Sequence, residues 1–227
     1  MPADILFDLD GTLIDSSPGI LASFARVLAA HGLAPAVPLE ASLIGPPLAV
    51  TLRQVSGLGD TGDEALLARL VEAFKADYDT AGHLTTTVFP GVAAGLARLA
   101  GDGARLFVVT NKRMVPTKKI LEALGLARHF AGIHTRDETE PPAPSKSAVT
   151  RRVLARHAID PARACFVGDS DEDAAAAREN GLAFIHARYG YGAAGIAARP
   201  DAVLDHFSRL PDLVETVLRE GSASPRH

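Results

Sequence analysis

The sequence has one cysteine, no basic stripe and no long apolar run, and each absence excludes a class of protein. Cys165 cannot form an internal disulfide, and its apolar neighbours indicate a core thiol, so we expect a reducing, cytoplasmic setting. No segment approaches the ~20 apolar residues of a membrane span. The first residues also lack the basic region of an export signal. We therefore expect neither membrane insertion nor export.

The charge pattern gives no support for a nucleic-acid partner. The net charge is -4, and the basic pairs at 118–119 and 151–152 are typical of solvated helix faces. The eight histidines show no paired spacing that would indicate a metal site. With 47% hydrophobic and 22% charged residues, the 227-residue chain is globular and long enough for a core with a smaller insert.

The first residues carry the clearest chemical signal. The apolar run at 5–7 leads into Asp8 and Asp10 and then a Gly-Thr turn, which predicts a buried strand with two acids at its tip. Two desolvated carboxylates need a cation, a shared proton or strong hydrogen bonds. The sequence therefore predicts a functional acid pair, with an acidic surface turn as the alternative.

The segment that follows is predicted to be entirely helical. The run Ser16, Ser17 and Pro18 predicts a helix start with a hydroxyl cap followed by proline at the first helical position. Apolar residues at helical spacing predict further helices over 48–55 and 65–78. We therefore expect a discontinuous core, residues 1–15 and 84–227, with an inserted helical cap over 16–83.

After residue 88 the pattern alternates between strands and helices. This alternation predicts an α/β fold, a Rossmann-like and mostly parallel sheet with helices on both faces. A final helix is predicted over 211–218, followed by a frayed polar tail over 220–227. The predicted strands cover 105–109, 132–135, 163–167, 182–185 and 202–204, and Ser145 is expected to cap a helix over 146–157.

Ligands of parallel sheets gather at the carboxyl ends of the strands. Several carboxylates at such an edge suit Mg²⁺, while a hydroxyl, a lysine and a metal suit phosphoryl oxygens. Each residue also has a simpler alternative, because a threonine can end a strand, a lysine can be solvated and acids can cap a helix. The residues placed at strand or helix ends are Asp8, Asp10, Thr110, Lys146, Asp169 and Asp173.

Four motifs in order carry a family resemblance. They are residues 8–12, residues 108–112, Lys146, and residues 168–170 with Asp173. The chain resembles the haloacid dehalogenase superfamily, in particular its phosphoglycolate phosphatase-like members with a helical cap after the first motif. The Tyr-Gly-Tyr-Gly loop at 189–192 resembles the loop after the fifth core strand of that subgroup.

The resemblance implies a role for each motif residue. Asp8 would be the nucleophile that forms an aspartyl-phosphate, and Asp10 would be the general acid and base. Mg²⁺ would bind the Asp8 side chain, the Asp10 backbone carbonyl and the Asp169 side chain. Asp173 would orient a ligand or Lys146.

The remaining implied roles concern the phosphoryl group. Thr110 and the backbone amide of Asn111 would hold a phosphoryl oxygen, and Lys146 would offset the charge shared by nucleophile and phosphate. Many relatives carry the third-motif lysine directly before a proline, whereas Glu140 precedes Pro141 here. Lys146 is then the candidate, with Glu140 as the alternative.

The helical cap is expected to select the substrate. Arg53 and Lys112 are candidates for binding an anionic leaving group, although either could be solvated. The resemblance implies a small phosphorylated metabolite, with phosphoglycolate first and a nucleotide or pyrophosphate behind it. A phosphosugar mutase of the same superfamily remains an alternative. A phosphoaspartate receiver is disfavoured because it has no helical insert, and the sequence gives no indication of oligomeric state.

Overall fold

The computed structural model describes residues 3–59, 62–192 and 196–223. Six parallel strands form its main sheet in the order β5-β4-β1-β6-β7-β8. A separate antiparallel pair joins β2 to β3. The described strands are β1 (Asp4–Phe7), β2 (Ile14–Asp15), β3 (Thr87–Val88), β4 (Arg105–Thr110), β5 (Gly132–Thr135), β6 (Ala164–Gly168), β7 (Ala183–Ala187) and β8 (Ala202–Leu204).

Helices connect these strands. The five predicted sheet strands and the helix starting at Lys146 are confirmed, with ends shifted by at most two residues. The described helices are α1 (Ser17–Ala30), α2 (Leu48–Ser56), α3 (Glu64–Thr80), α4 (Val92–Gly101), α5 (Met114–Ala123), α6 (Lys146–His157), α7 (Asp171–Glu179) and α8 (Leu210–Ala223).

The central strand β1 is buried on both faces of the sheet. Ile5 and Phe7 point into a core shared with α4, α5 and α8, because alternate residues of a strand face opposite sides. Leu6 points into a second core shared with α6 and α7. The predicted α/β architecture, a parallel sheet covered on both faces, is therefore confirmed.

Helices α1, α2 and α3 pack around a core of their own, which includes Leu52 and Leu70. The rings of Phe24 and Phe74 lie 4.7 Å apart, and those of Phe74 and Tyr78 lie 5.4 Å apart. We refer to residues 16–86, between β2 and β3, as the helical insert. The two short strands at its base were not predicted, since two residues carry no hydrophobic period.

The helix ends show two departures from prediction. Helix α1 begins at Ser17, so Pro18 is its second residue and not its first; Ser16 at the N-cap makes no side-chain capping bond and donates instead to Asp10. The Tyr191 hydroxyl accepts from the amides of Ser16 and Ser17 in its place. The last helix is longer than predicted and takes in the first part of the tail that was expected to fray. The end of that tail, residues 224–227, lies outside the described residues.

Within the described part of the chain, no helix is both long and apolar enough to cross a membrane.

Candidate active site

The carboxyl ends of three adjacent strands bring the candidate residues together. Because β1 pairs with β4 on one side and β6 on the other, Asp8 lies between Thr110 and Asp169. All three side chains are buried. The Asp8 amide donates to the Val167 carbonyl at 2.9 Å and so continues the ladder beyond β1.

Lys146 reaches this group from the start of α6. Its Nζ lies 2.9 Å from Asp8 Oδ1 and 2.6 Å from Asp173 Oδ1. Ser145 caps the helix by accepting from the Ala148 amide, as the sequence predicted. Glu140, the alternative for the third motif, is exposed. The structure therefore brings Lys146, and not Glu140, into contact with Asp8.

Asp173 closes the N-terminus of α7 and also holds Lys146. Its Oδ2 accepts from the amides of Asp169 and Ser170 and from the Ser170 hydroxyl, which forms a capping box. Its Oδ1 accepts from Lys146. Helix capping and lysine orientation were alternatives in the sequence, and this one carboxylate does both.

The loop after β7 packs closely against Asp169. Asp169 Oδ2 accepts from the amides of Tyr191 and Gly192 at 2.7 and 3.2 Å. A Cβ on Gly192 would lie 1.9 Å from the Asp169 carbonyl oxygen, so only glycine allows this approach. The Tyr191 hydroxyl also binds the start of α1, and the loop therefore links Asp169 to the helical insert.

Gly11 is a second position where glycine is required. Its φ is +85°, and a Cβ there would lie 2.3 Å from Asp169 Oδ2. We expect Gly11→Ala to lower both the melting temperature and the metal affinity, because the clash displaces Asp169. Gly32→Ala is the matched control, since Gly32 has a φ of +71° with nothing within 4 Å of its Cβ. Its cost should be that of the backbone alone, about 1 kcal/mol. Thermal unfolding with and without Mg²⁺ measures both, and equal losses in the two variants would contradict the clash.

Asp10 is held from the other side of the site. Lys112 Nζ lies 3.0 and 3.1 Å from its two carboxylate oxygens and donates to the Tyr78 hydroxyl at 2.9 Å. The Ser16 hydroxyl donates to Asp10 Oδ1 at 2.5 Å. Asp10 thus contacts both the sheet edge and the helical insert.

The electrostatics follow from burial and like charges. Burial raises the pKa of Asp8 well above its usual range, although the neighbouring Lys146 opposes this. Burial and the nearby Asp173 raise the pKa of Asp169 to about 7. Burial disfavours the charged form of Lys146, but the carboxylates of Asp173 and Asp8 outweigh it and raise its pKa. The three buried carboxylates therefore outnumber the one ammonium group, that of Lys146, which contacts two of them.

A hard divalent cation fits this surplus. Ligand oxygens of Asp8, Asp169 and Asp173 lie within 4.8 Å of one another, and oxygen ligands are those that Mg²⁺ prefers. Asp173 already accepts from Lys146, Ser170 and the Asp169 amide. All three carboxylates could therefore contribute to a metal site, and both oxygens of Asp173 are also engaged with Lys146 and the start of α7.

A cavity of about 260 Å³ opens above Asp8. Its lining includes Asp8, Asp10, Thr110, Asn111 and Lys112 at the sheet edge, and side chains of the helical insert on the other side.

Arg53 does not line this cavity. It forms an ion pair with Glu64 and donates to the Gly59 carbonyl, so the structure does not bring it to the site.

Three contributors were not singled out from the sequence. Tyr78 was placed only at a helix end, Ser16 only in a helix-start signal, and Glu172 was not assigned a role. Asn111 Nδ2 donates to Glu172 at 2.7 Å and to the Gly45 carbonyl at 2.9 Å, which ties the helical insert to the sheet edge. The Tyr-Gly-Tyr-Gly pattern was the one local signal for a further contributor, Tyr191.

Comparison with known proteins agrees with this geometry. The model of the haloacid dehalogenase-like hydrolases matches residues 5–187. A Mycobacterium tuberculosis protein named tyrosine-protein kinase PtkA is 34% identical over 95% of this chain and 72% of its own. The plasmid phosphoglycolate phosphatase of Cupriavidus necator is 36% identical over 92% of each chain. The crystal structure of a predicted phosphatase from Clostridium acetobutylicum aligns with a TM-score of 0.79 and 27% identity, over 96% of this chain and 99% of that one. As the four motifs predicted, the chain belongs to the haloacid dehalogenase-like hydrolase family.

Proposed function

We propose that this phosphatase of the haloacid dehalogenase-like family hydrolyses small phosphomonoesters through an aspartyl-phosphate on Asp8. One observation carries the proposal: Asp8 lines the cavity while its carboxylate contacts Lys146 and lies beside Asp169. A buried carboxylate held by a fixed cation is positioned to attack phosphorus. The curated relative named phosphoglycolate phosphatase supports the same reaction class.

In the first step an Asp8 carboxylate oxygen bonds to phosphorus, and the ester P–O bond breaks. Asp10 gives its proton to the departing alcohol oxygen, so the leaving group departs as a neutral alcohol. Thr110 and the Asn111 amide bind a phosphoryl oxygen, and Lys146 balances charge on Asp8 and the phosphate. Lys112 and Tyr78 fix the position of Asp10 for this proton transfer.

In the second step water attacks the aspartyl-phosphate. Asp10, now a carboxylate, takes a proton from the water as its oxygen bonds to phosphorus. The P–O bond to Asp8 breaks, which releases inorganic phosphate and restores the nucleophile. Asp10 is again protonated and ready for the next turnover.

Mg²⁺ would be held by the side chains of Asp8 and Asp169 and by the Asp10 backbone carbonyl. When bound, the ion would supply positive charge to the phosphoryl oxygens and to the attacking carboxylate. The surplus of buried carboxylates supports this assignment. Asp173 would keep Lys146 and the turn that carries Asp169 in place.

Metal removal tests the proposal. We expect phosphate release from a panel of phosphoglycolate, sugar phosphates, mononucleotides and pyrophosphate to stop in EDTA and return with excess Mg²⁺. The reason is that the site's carboxylates otherwise repel the phosphate dianion. Full activity after exhaustive chelation would contradict a metal-dependent reaction. The panel is read as kcat/KM for each substrate.

Other outcomes of the same panel identify other reactions. Isomerised sugar phosphates without free phosphate would indicate a mutase, which returns the phosphoryl group to the sugar. Because the mycobacterial relative is named a tyrosine kinase, a further arm pairs ATP with a tyrosine peptide. If the peptide became phosphorylated and no free phosphate appeared, a kinase activity would replace the hydrolase proposal.

A further inference from the structure

The side of the cavity supplied by the helical insert is mostly apolar. The rings of Phe24 and Phe74 lie 4.7 Å apart on this side, and the loop before α2 adds Pro46 and Pro47. Apolar surface next to the reacting group favours apolar parts of a ligand. The apolar side chains concerned are Ile20, Phe24, Leu43, Ile44, Leu48 and Phe74.

The cationic side chains of the described lining already have partners. Lys112 is bound to Asp10 and Tyr78. Arg113 makes two hydrogen bonds to Asp79, at 2.9 and 2.5 Å. Arg136 donates to the carbonyls of residues 143 and 144, each at 2.8 Å. The charges of Lys112 and Arg113 are offset by carboxylates, whereas Arg136 is bound only to carbonyls and is half-buried, so in the described lining an anionic leaving group would find an unpaired counter-charge only at Arg136.

The charges at the base of the cavity point the same way. With Asp10 protonated as the proposed acid, the carboxylates of Asp8, Asp169 and Asp173 lie beside two ammonium groups among the described residues, those of Lys112 and Lys146. A divalent cation would bring these charges to a sum of one positive charge, so a bound phosphate dianion would leave the occupied site with a surplus of one negative charge. A carboxylate on the leaving group would add a further unpaired buried charge, which is costly.

We propose that this site selects phosphomonoesters whose leaving group is an uncharged alcohol with an apolar face, over carboxylate-bearing esters such as phosphoglycolate. The inference rests on the proposed hydrolysis and specifies its substrate class. The apolar side chains of the insert bury the carbon part of the alcohol, while Asp10 and Lys112 lie at the oxygen end. Phosphoglycolate, favoured from the sequence, becomes the disfavoured member of the comparison.

A matched pair of substrates tests the inference. Benzyl phosphate and 4-carboxybenzyl phosphate have similar leaving-group oxygens and differ in one remote charge. We expect kcat/KM to be at least about tenfold higher for benzyl phosphate, and higher for propyl phosphate than for phosphoglycolate. Binding to the inactive Asp8→Asn variant, measured by calorimetry with Mg²⁺, should show the same order. Equal values, or a preference for the carboxylates, would overturn the inference.

A charge added to the apolar side provides the complementary test. We expect Ile44→Lys to shift the ratio of the two kcat/KM values toward 4-carboxybenzyl phosphate by about tenfold or more. Val50→Lys is the matched control, because Val50 is exposed on α2 and does not line the cavity, so its ratio should equal that of the wild type. An unchanged ratio in a folded Ile44→Lys variant would count against the assigned side chains.

The two proposals fail differently. If the hydrolase proposal is wrong, neither member of either pair releases phosphate. If only the leaving-group inference is wrong, phosphate is released and the carboxylate-bearing member reacts at least as well.

Discussion

Asp8→Asn is expected to reduce kcat/KM by about 10⁴-fold or more, because the amide cannot supply the anionic oxygen that bonds to phosphorus. Asparagine keeps the shape of the side chain and its place beside Lys146. The loss should therefore fall on the chemical step, while phosphate esters still bind. Phosphate release and calorimetric binding, measured on the same preparation, separate the two effects.

The fold should survive this substitution. Asp8 is buried and its pKa is raised, so a neutral amide relieves charge that the metal-free site holds at a cost. Lys146 keeps Asp173 as a partner. We expect a melting temperature close to that of the wild type without metal. Substantial activity in a folded Asp8→Asn variant would contradict the covalent mechanism. The Asp8→Ala variant is the control for residual turnover, because alanine, unlike asparagine, cannot be hydrolysed to aspartate.

Acid-quenched turnover gives a direct view of the intermediate. Mass analysis of the wild type after rapid quenching should place a phosphoryl group on the peptide that contains Asp8. The same peptide from Asp8→Asn should carry none. A phosphoryl group found elsewhere would move the nucleophile to that residue.

The sequence predicted the residues of the site that lie at the carboxyl ends of strands. Asp8, Thr110 and Asp169 each come directly after an apolar run, and adjacent parallel strands place such residues side by side. Local pattern and chain order are enough for this, since strand periodicity and βαβ connections are encoded nearby in sequence. The family resemblance then distinguished Lys146 from other helix-start lysines.

The contacts around Asp10 could not be predicted in this way. Lys112 and Tyr78 lie 34 positions apart, and Lys112 and Asp10 lie 102 apart, so no local period relates them. Their meeting depends on how the helical insert packs against the sheet edge. Arg53 shows the converse, because its place in the expected cap suggested a substrate contact, but packing of α2 against α3 pairs it with Glu64. The sequence did not give the orientation of the insert's helices relative to the sheet and to one another.

Both the helical insert and the sheet edge contact the proposed catalytic residue Asp10. Asp10 is bound both by Lys112 from the sheet edge and by Ser16 from the insert, and Asn111 bonds to Gly45 in the insert. Movement of the insert would therefore change the surroundings of the proposed acid and base together with the substrate cavity. A substrate that shifted the insert would therefore be expected to affect proton transfer as well as binding.

Lys146→Met is expected to produce the second large effect, on stability as well as on activity. The substitution leaves Asp8 and Asp173 without their shared cation, and both are buried. Breaking a buried ion pair by removing one partner costs about 3–5 kcal/mol. We expect a loss of that order in the free energy of unfolding at neutral pH without metal. We also expect kcat/KM to fall by roughly 10³-fold, because no charge then offsets the nucleophile and phosphate.

Two further variants separate the causes. Adding Asp173→Asn to Lys146→Met removes one of the two carboxylates left without a cation. The free energy of unfolding, measured in denaturant, should therefore recover in part, whereas activity should remain low. Lys118→Met is the matched control, since Lys118 is exposed, and it should change neither quantity. If Lys146→Met stayed active while Glu140→Gln lost activity, the third motif would belong to Glu140. Because Lys146 contacts Asp8 and the exposed Glu140 does not, we expect the opposite order, with stability and catalysis depending on the same ammonium group.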